Sequence, residues 1–203
     1  MPGVLNFWFD FGSTYSYLTA MRLQPLAAAA SVQVRFRPFL LGPILKAQGW
    51  ATSPFNIYPA KGRLMWRDLE RLCEELAFPF RRPDPFPQTS LLAARVALVG
   101  LDRDWGEEFC RSVFRAEFGD GRRIDDPTVL SELVGALGID AASALATAQS
   151  DAIKARLREE TEEAQRLGIF GAPTFVCADG ELFWGNDRLE QALRWATKAG
   201  NGE

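Results

Sequence analysis

Residues 4–18, VLNFWFDFGSTYSYL, constrain the fold more than any other stretch of the chain. Leu5, Phe7, Phe9 and Phe11 alternate with Asn6, Trp8 and Asp10, a period of two that reads as a strand, and the aromatic load on both faces predicts burial from both sides. Gly12 breaks the run. Ser13, Thr14 or Ser16 can then cap a helix, because a short side-chain oxygen accepts hydrogen bonds from the free N–H groups of a first turn. A helix N-terminus also carries a partial positive charge, so Ser13 stands where a thiolate or phosphate would be stabilised. On pattern alone the cap is the simpler reading of Ser13.

A chain of 203 residues with 47% hydrophobic content can bury one substantial core. Its formal net charge of −3, with Arg81-Arg82 and Arg122-Arg123 as pairs rather than patches, argues against nucleic acid as a partner, because phosphate neutralisation needs grouped cations. No basic leader precedes the first strand and no apolar run is long enough to span a bilayer, so the expectation is a soluble cytoplasmic protein with no membrane partner. Cys73, Cys110 and Cys177 are odd in number and far apart, which leaves neither a disulfide framework nor a CxxC pair and suggests buried apolar residues. The count of zero histidines is decisive for chemistry. It excludes Ser-His-Asp and Cys-His nucleophiles, an imidazole base and any histidine-ligated metal. Carboxylates, Lys, Tyr, Ser, backbone amides or a reactive group brought in by a cofactor remain.

After a helix over residues 15–30, Val32, Val34 and Phe36 alternate with polar residues in a second strand closed by Pro38, completing a βαβ unit. Residues 39–56 read as a long irregular loop. From Pro59 the pattern is helical, with Met65, Leu69, Leu72 and Leu76 on one face, and the proline-rich residues 81–88 form an extended connector. Further helices follow: one from Ser90 to near Gly100, one through Trp105 and Phe118 to Gly119, one capped by Asp126-Pro127, one over residues 141–149, and one over 151–167 with Ile153, Leu157, Ala164 and Leu167 inward. The sheet resumes with strands at 174–177 and 181–184 around an Ala178-Asp179-Gly180 turn. Asp187 and Glu190 then make a capping box for the last helix. This order predicts an α/β thioredoxin-like fold with an all-helical domain inserted after the first βαβ unit: residues 1–40 and 150–203 against 41–149. In such a sheet the proline before the third strand is commonly cis and faces the first helix, which is the place of Pro173; the Ala172 N–H and C=O would then be free for an extended peptide ligand.

FDFGSTYSYL, PAKGRLMWRDLERLC, LLAARVAL, GIFGAPTF and GELFWGNDRLE together resemble the 2-hydroxychromene-2-carboxylate isomerases, relatives of the kappa-class glutathione transferases and the DsbA-type oxidoreductases. The similarity covers almost the whole chain. It implies a glutathione-dependent cis-trans isomerase, in which the glutathione thiolate adds to the ring-opened chromene and rotation and elimination give trans-hydroxybenzylidenepyruvate. By the same resemblance Ser13 is catalytic and hydrogen-bonds the glutathione sulfur, Ala172 ahead of Pro173 pairs with the cysteinyl unit, and Trp184, Gly185, Asn186 and Asp187 hold the γ-glutamyl end. Lys46 and Asn56 match contacts to the substrate carboxylate and hydroxyls, with Lys46 pairing the carboxylate, and a homodimer is implied. Thr14, Leu64 and Gln88-Thr89 depart from the family pattern, which bears on the substrate rather than on glutathione. A kappa-like transferase or peroxidase is the nearest alternative, and a non-catalytic thiol or peptide binder the one from another class. A thiol-disulfide oxidoreductase needs a cysteine in the 12–16 turn, and none is there. Trp50, Phe55, Trp66 and Phe86 suit either a substrate pocket or a subunit contact, and periodicity does not decide between them.

Overall fold

The computed structural model describes residues 3–201. Strand β1 (Gly3–Phe9) leads through the Gly12 turn into α1 (Thr14–Ala29), and β2 (Val32–Pro38) returns parallel to β1 with Phe7 opposite Phe36. Seven helices follow: α2 (Leu41–Ala47), α3 (Pro54–Ile57), α4 (Pro59–Glu75), α5 (Leu91–Leu101), α6 (Gly106–Phe114), α7 (Pro127–Ala136) and α8 (Ala141–Ala148). Then α9 (Asp151–Arg166) precedes β3 (Thr174–Cys177), β4 (Leu182–Trp184) and α10 (Leu189–Asn201). The four strands lie in the order β2-β1-β3-β4, with β3 antiparallel to both neighbours. The predicted thioredoxin-like order of elements is therefore present.

Burial on both faces explains the aromatic strand. Leu5, Phe7 and Phe9 point into a large core shared with α1, α5, α6 and α10, whereas Trp8 packs on the other face with Phe39, Ile44, Ala164 and Ile169. Phe9 meets Phe114 of α6 at 5.6 Å between ring centroids, and Phe11 meets the same ring at 5.0 Å. The inserted helices thus share their core with the sheet.

Four local expectations are corrected. Residues 39–56 are not irregular throughout: α2 starts at Leu41 with Pro43 in its first turn, and α3 starts at Pro54 with the Ser53 hydroxyl accepting from the Phe55 N–H. Prolines early in a turn start helices as readily as they break strands. Leu167 is 38% exposed, because α9 ends at Arg166 and Gly168 turns the chain away with φ +77°. Leu72 and Leu76 are only half-buried, and Trp66 and Cys73 take the inward face of α4. No capping box forms at the last helix: a 3-10 turn (Asn186–Arg188) precedes α10, and Glu190 pairs with Arg22 of α1.

Candidate active site

The site begins at the β1–α1 turn. Asp10 is buried, and its carboxylate accepts from the Gly12 N–H at 2.9 Å and the Leu41 N–H at 2.7 Å, tying the turn to the start of α2. Burial pushes its pKa up, against the pull of these bonds and of the Ser90 hydroxyl. Ser13 follows in extended backbone as the cap of α1, its hydroxyl accepting from the Ser16 N–H at 3.3 Å. Among the described residues the Thr14 and Tyr15 N–H groups have no partner, which is the ordinary condition of a first helical turn. Two free amides and the positive end of the helix dipole thus belong to the turn that Ser13 caps.

Across the sheet, the Ala172-Pro173 bond is cis. The Ser13 hydroxyl donates to the Ala172 carbonyl at 2.9 Å, joining residues 159 positions apart. The carbonyl expected to be free is therefore engaged by Ser13, whereas the Ala172 N–H has no partner among the described residues. The Gly185 N–H donates to the Pro173 carbonyl at 3.0 Å, so the 184–187 run is held beside the proline. Gly185 is in left-handed backbone at φ +110°, and a side chain there would meet the Asp187 carboxylate. Trp184 is half exposed and meets the Phe170 ring in a tilted contact, 4.9 Å between centroids. Asn186 is buried, its side-chain oxygen accepting from Thr19 of α1 at 3.2 Å, so that side chain ties the run to α1. Asp187 is mostly exposed, with Arg188 at 3.2 Å.

Ser13, Ala172, Pro173 and the 184–187 run are thus brought together from both ends of the chain. Lys46 and Asn56 are not paired with each other: Lys46 is exposed in the last turn of α2, and Asn56 is exposed in α3. Asn56 lines two adjoining cavities, about 470 and 560 Å³, together with Trp66 and Arg82, and Lys46 lines neither. Phe55 lines the smaller cavity and Phe86 the larger; Trp50 lines neither. Ser13 is not in either lining, but the link is short, because Pro87, next to Phe86, packs 3.7 Å from where a Gly12 side chain would begin. Tyr15 reinforces it by donating to Asp68 of α4 at 2.9 Å, and burial and that carboxylate raise its pKa. In the sequence pattern Asp10 is one more strand position and Arg82 half of the Arg81-Arg82 pair, and neither stands out as a site residue.

The cysteines take no part. All three are free and buried, and burial pushes Cys73 up to about 11 and Cys177 up to about 12, far from a reactive thiolate. The described residues contain no group of three or more carboxylates and cysteines able to hold a metal, and no helix among them is long and apolar enough to cross a membrane.

A capped β1–α1 turn facing a cis proline at the edge of β3, in a four-stranded mixed sheet, defines a thioredoxin-type protein, and the chain belongs to the DsbA-like thioredoxin family, whose model matches residues 4–194. Within it the chain belongs with the 2-hydroxychromene-2-carboxylate isomerases: the enzyme of that name from Sphingobium xenophagum is 31% identical over 194 residues, covering 94% of this chain and 96% of the relative. Human glutathione S-transferase kappa 1 is 28% identical, covering 94% and 89%. A solved structure of 2-hydroxychromene-2-carboxylate isomerase superposes with a TM-score of 0.85 at 25% identity, covering 98% of both chains.

Proposed function

We propose that this isomerase-family protein is a glutathione-dependent cis-trans isomerase of 2-hydroxychromene-2-carboxylate or a closely related aromatic catabolite, working in the cytoplasm and as a homodimer. The observation that carries this reading is the Ser13 hydroxyl, 2.9 Å from the Ala172 carbonyl and at the head of a helix with two unpartnered N–H groups. Glutathione fits the donor set: the free Ala172 N–H suits the main chain of a cysteinyl unit, and the exposed Asp187 carboxylate suits an ammonium group. Bound there, glutathione would supply the thiolate that lets the substrate's double bond rotate. The chain's own part is to keep that sulfur ionised. An ordinary thiol has a pKa of about 8.5, so little thiolate exists at neutral pH without a positive helix end and a hydroxyl donor beside it. Ser13 turns its O–H from Ala172 to the sulfur, exchanging a neutral acceptor for a charged one, which makes the stronger bond. Serine here holds an anion and forms no covalent bond. Residues 1–40 and 150–203 form the unit that holds glutathione, and residues 41–149 the unit that brings the second substrate to it.

The test is ultraviolet-monitored interconversion of 2-hydroxychromene-2-carboxylate and trans-hydroxybenzylidenepyruvate, with and without glutathione, on the protein and on Ser13→Ala. Turnover that requires glutathione and falls about 100-fold or more in the variant is expected, as for loss of one donor to a developing anion. Glutathione binding without turnover would refute the substrate. The kappa relatives support a second reading, conjugation of glutathione to an electrophile, and that reading predicts a stable thioether product instead.

A further inference from the structure

We infer that Arg82, held over the ring of Trp66, is the carboxylate anchor of the aromatic substrate. This deepens the reading above and rests on it for the substrate class. The resemblance places the substrate carboxylate on Lys46, yet Lys46 lines neither cavity beside the Ser13 turn. Arg82 lines both. Its guanidinium carbon sits 4.7 Å from the centre of the Trp66 ring, and it forms no ion pair with any carboxylate among the described residues, including Asp84, which shares the larger cavity. The smaller cavity adds Arg63, which has no ion-pair partner among the described residues either, and Arg67, whose charge is spent on Glu70 at 2.8 Å.

The platform is rigid. Trp66 is buried, Phe86 meets it edge-on at 4.6 Å, and Phe80 leans on it at 6.3 Å. A guanidinium held on an indole keeps its fork in one plane, so two parallel N–H donors are presented to a carboxylate with little rotamer freedom left to lose. Asn56 lies on the rim with its N–H₂ turned to Thr52 at 3.3 Å, leaving its amide oxygen to accept from a phenol or hydroxyl of the ligand. Gly62 makes the approach possible, since a side chain there would begin 2.4 Å from the Phe55 carbonyl and push α3 off the cavity wall. The ligand class this suits is an aryl acid with one carboxylate and a neighbouring hydroxyl. Pro87, next in the chain to Phe86, packs against Gly12, which ties the wall of the larger cavity to the Ser13 turn.

The experiment is calorimetric titration of the full chain with trans-hydroxybenzylidenepyruvate and with its carboxamide, using wild type, Arg82→Ala, Arg82→Lys and Lys46→Ala. The expected result is a preference for the acid over the amide that Arg82→Ala abolishes, with at least a tenfold loss of affinity for the acid and little change for the amide. Arg82→Lys should recover only part of it, because a point charge does not reproduce the planar fork. Arg82 is exposed, so the fold should survive, and circular dichroism checks it. Unchanged acid affinity in Arg82→Ala, the loss appearing in Lys46→Ala instead, or no acid binding by wild type would each overturn the assignment. Arg82-dependent binding without glutathione-dependent isomerisation would sink the proposed reaction and leave the anchor standing.

Discussion

At the scale of single residues, the least expected side chain is Glu117. It is fully buried in a π-helical turn (Arg115–Gly119) between α6 and α7, and among the described residues neither carboxylate oxygen has a hydrogen-bond partner. Burial first, then the charges of Asp10 and Asp125, hold its pKa well above the usual carboxylate range, which favours the neutral acid in the fold. The unfolded chain releases this proton at an ordinary carboxylate pKa. Folding therefore binds a proton, and stability falls as pH rises from about 4.5 through the raised folded value. Glu117→Gln should remove that slope and raise the melting temperature at pH 8 relative to pH 5, checked by thermal unfolding across that range; an unchanged slope would assign it to other groups. Ser13→Ala should cost about 1 kcal/mol of stability through the lost cap, apart from its effect on turnover. The buried cysteines should react with an aromatic disulfide reagent only as fast as the protein opens, and protection lost without unfolding would contradict their placement.

At the scale of elements, two close approaches set how the inserted helices pack. A side chain on Gly106 would begin 2.2 Å from the Leu101 N, and one on Gly100 would strike the Trp105 ring at 2.6 Å, so the α5–α6 corner closes only on glycine. Gly106→Ala should destabilise by about 1–3 kcal/mol or more, read as a lower denaturation midpoint at unchanged slope. Gly171 does the same work at the site. A side chain there would begin 2.4 Å from Trp184 Nε1, and Gly171→Ala should therefore displace Trp184 and weaken glutathione binding more than it lowers stability, measured by titration and melting side by side. Much at this scale was legible. Periodicity, Asp126-Pro127 and the Ala178-Asp179-Gly180 turn located most helices and the final hairpin, because caps and turns are chosen by neighbours in the chain. The Asp187–Glu190 box failed since Glu190 found a stronger partner in Arg22, from another helix.

At the scale of the molecule, one aromatic core runs from the sheet through Phe9, Phe11 and Phe114 into the inserted helices. Heat should unfold the chain in one transition, with far- and near-ultraviolet circular dichroism coinciding; two separated transitions would mean that the insert holds its own core. By itself the sequence determined the strand-turn-helix at residues 4–18, the absence of imidazole chemistry, the family and the order of elements, because each of these is written in consecutive residues or in composition. Only the tertiary structure decided that Ser13 donates to Ala172, that Asp10 ties the turn to α2 and that Arg82 rests on Trp66 beside Asn56. Those contacts join residues far apart in the chain, and no local period encodes which distant backbone group or ring a polar side chain will meet once the core has closed.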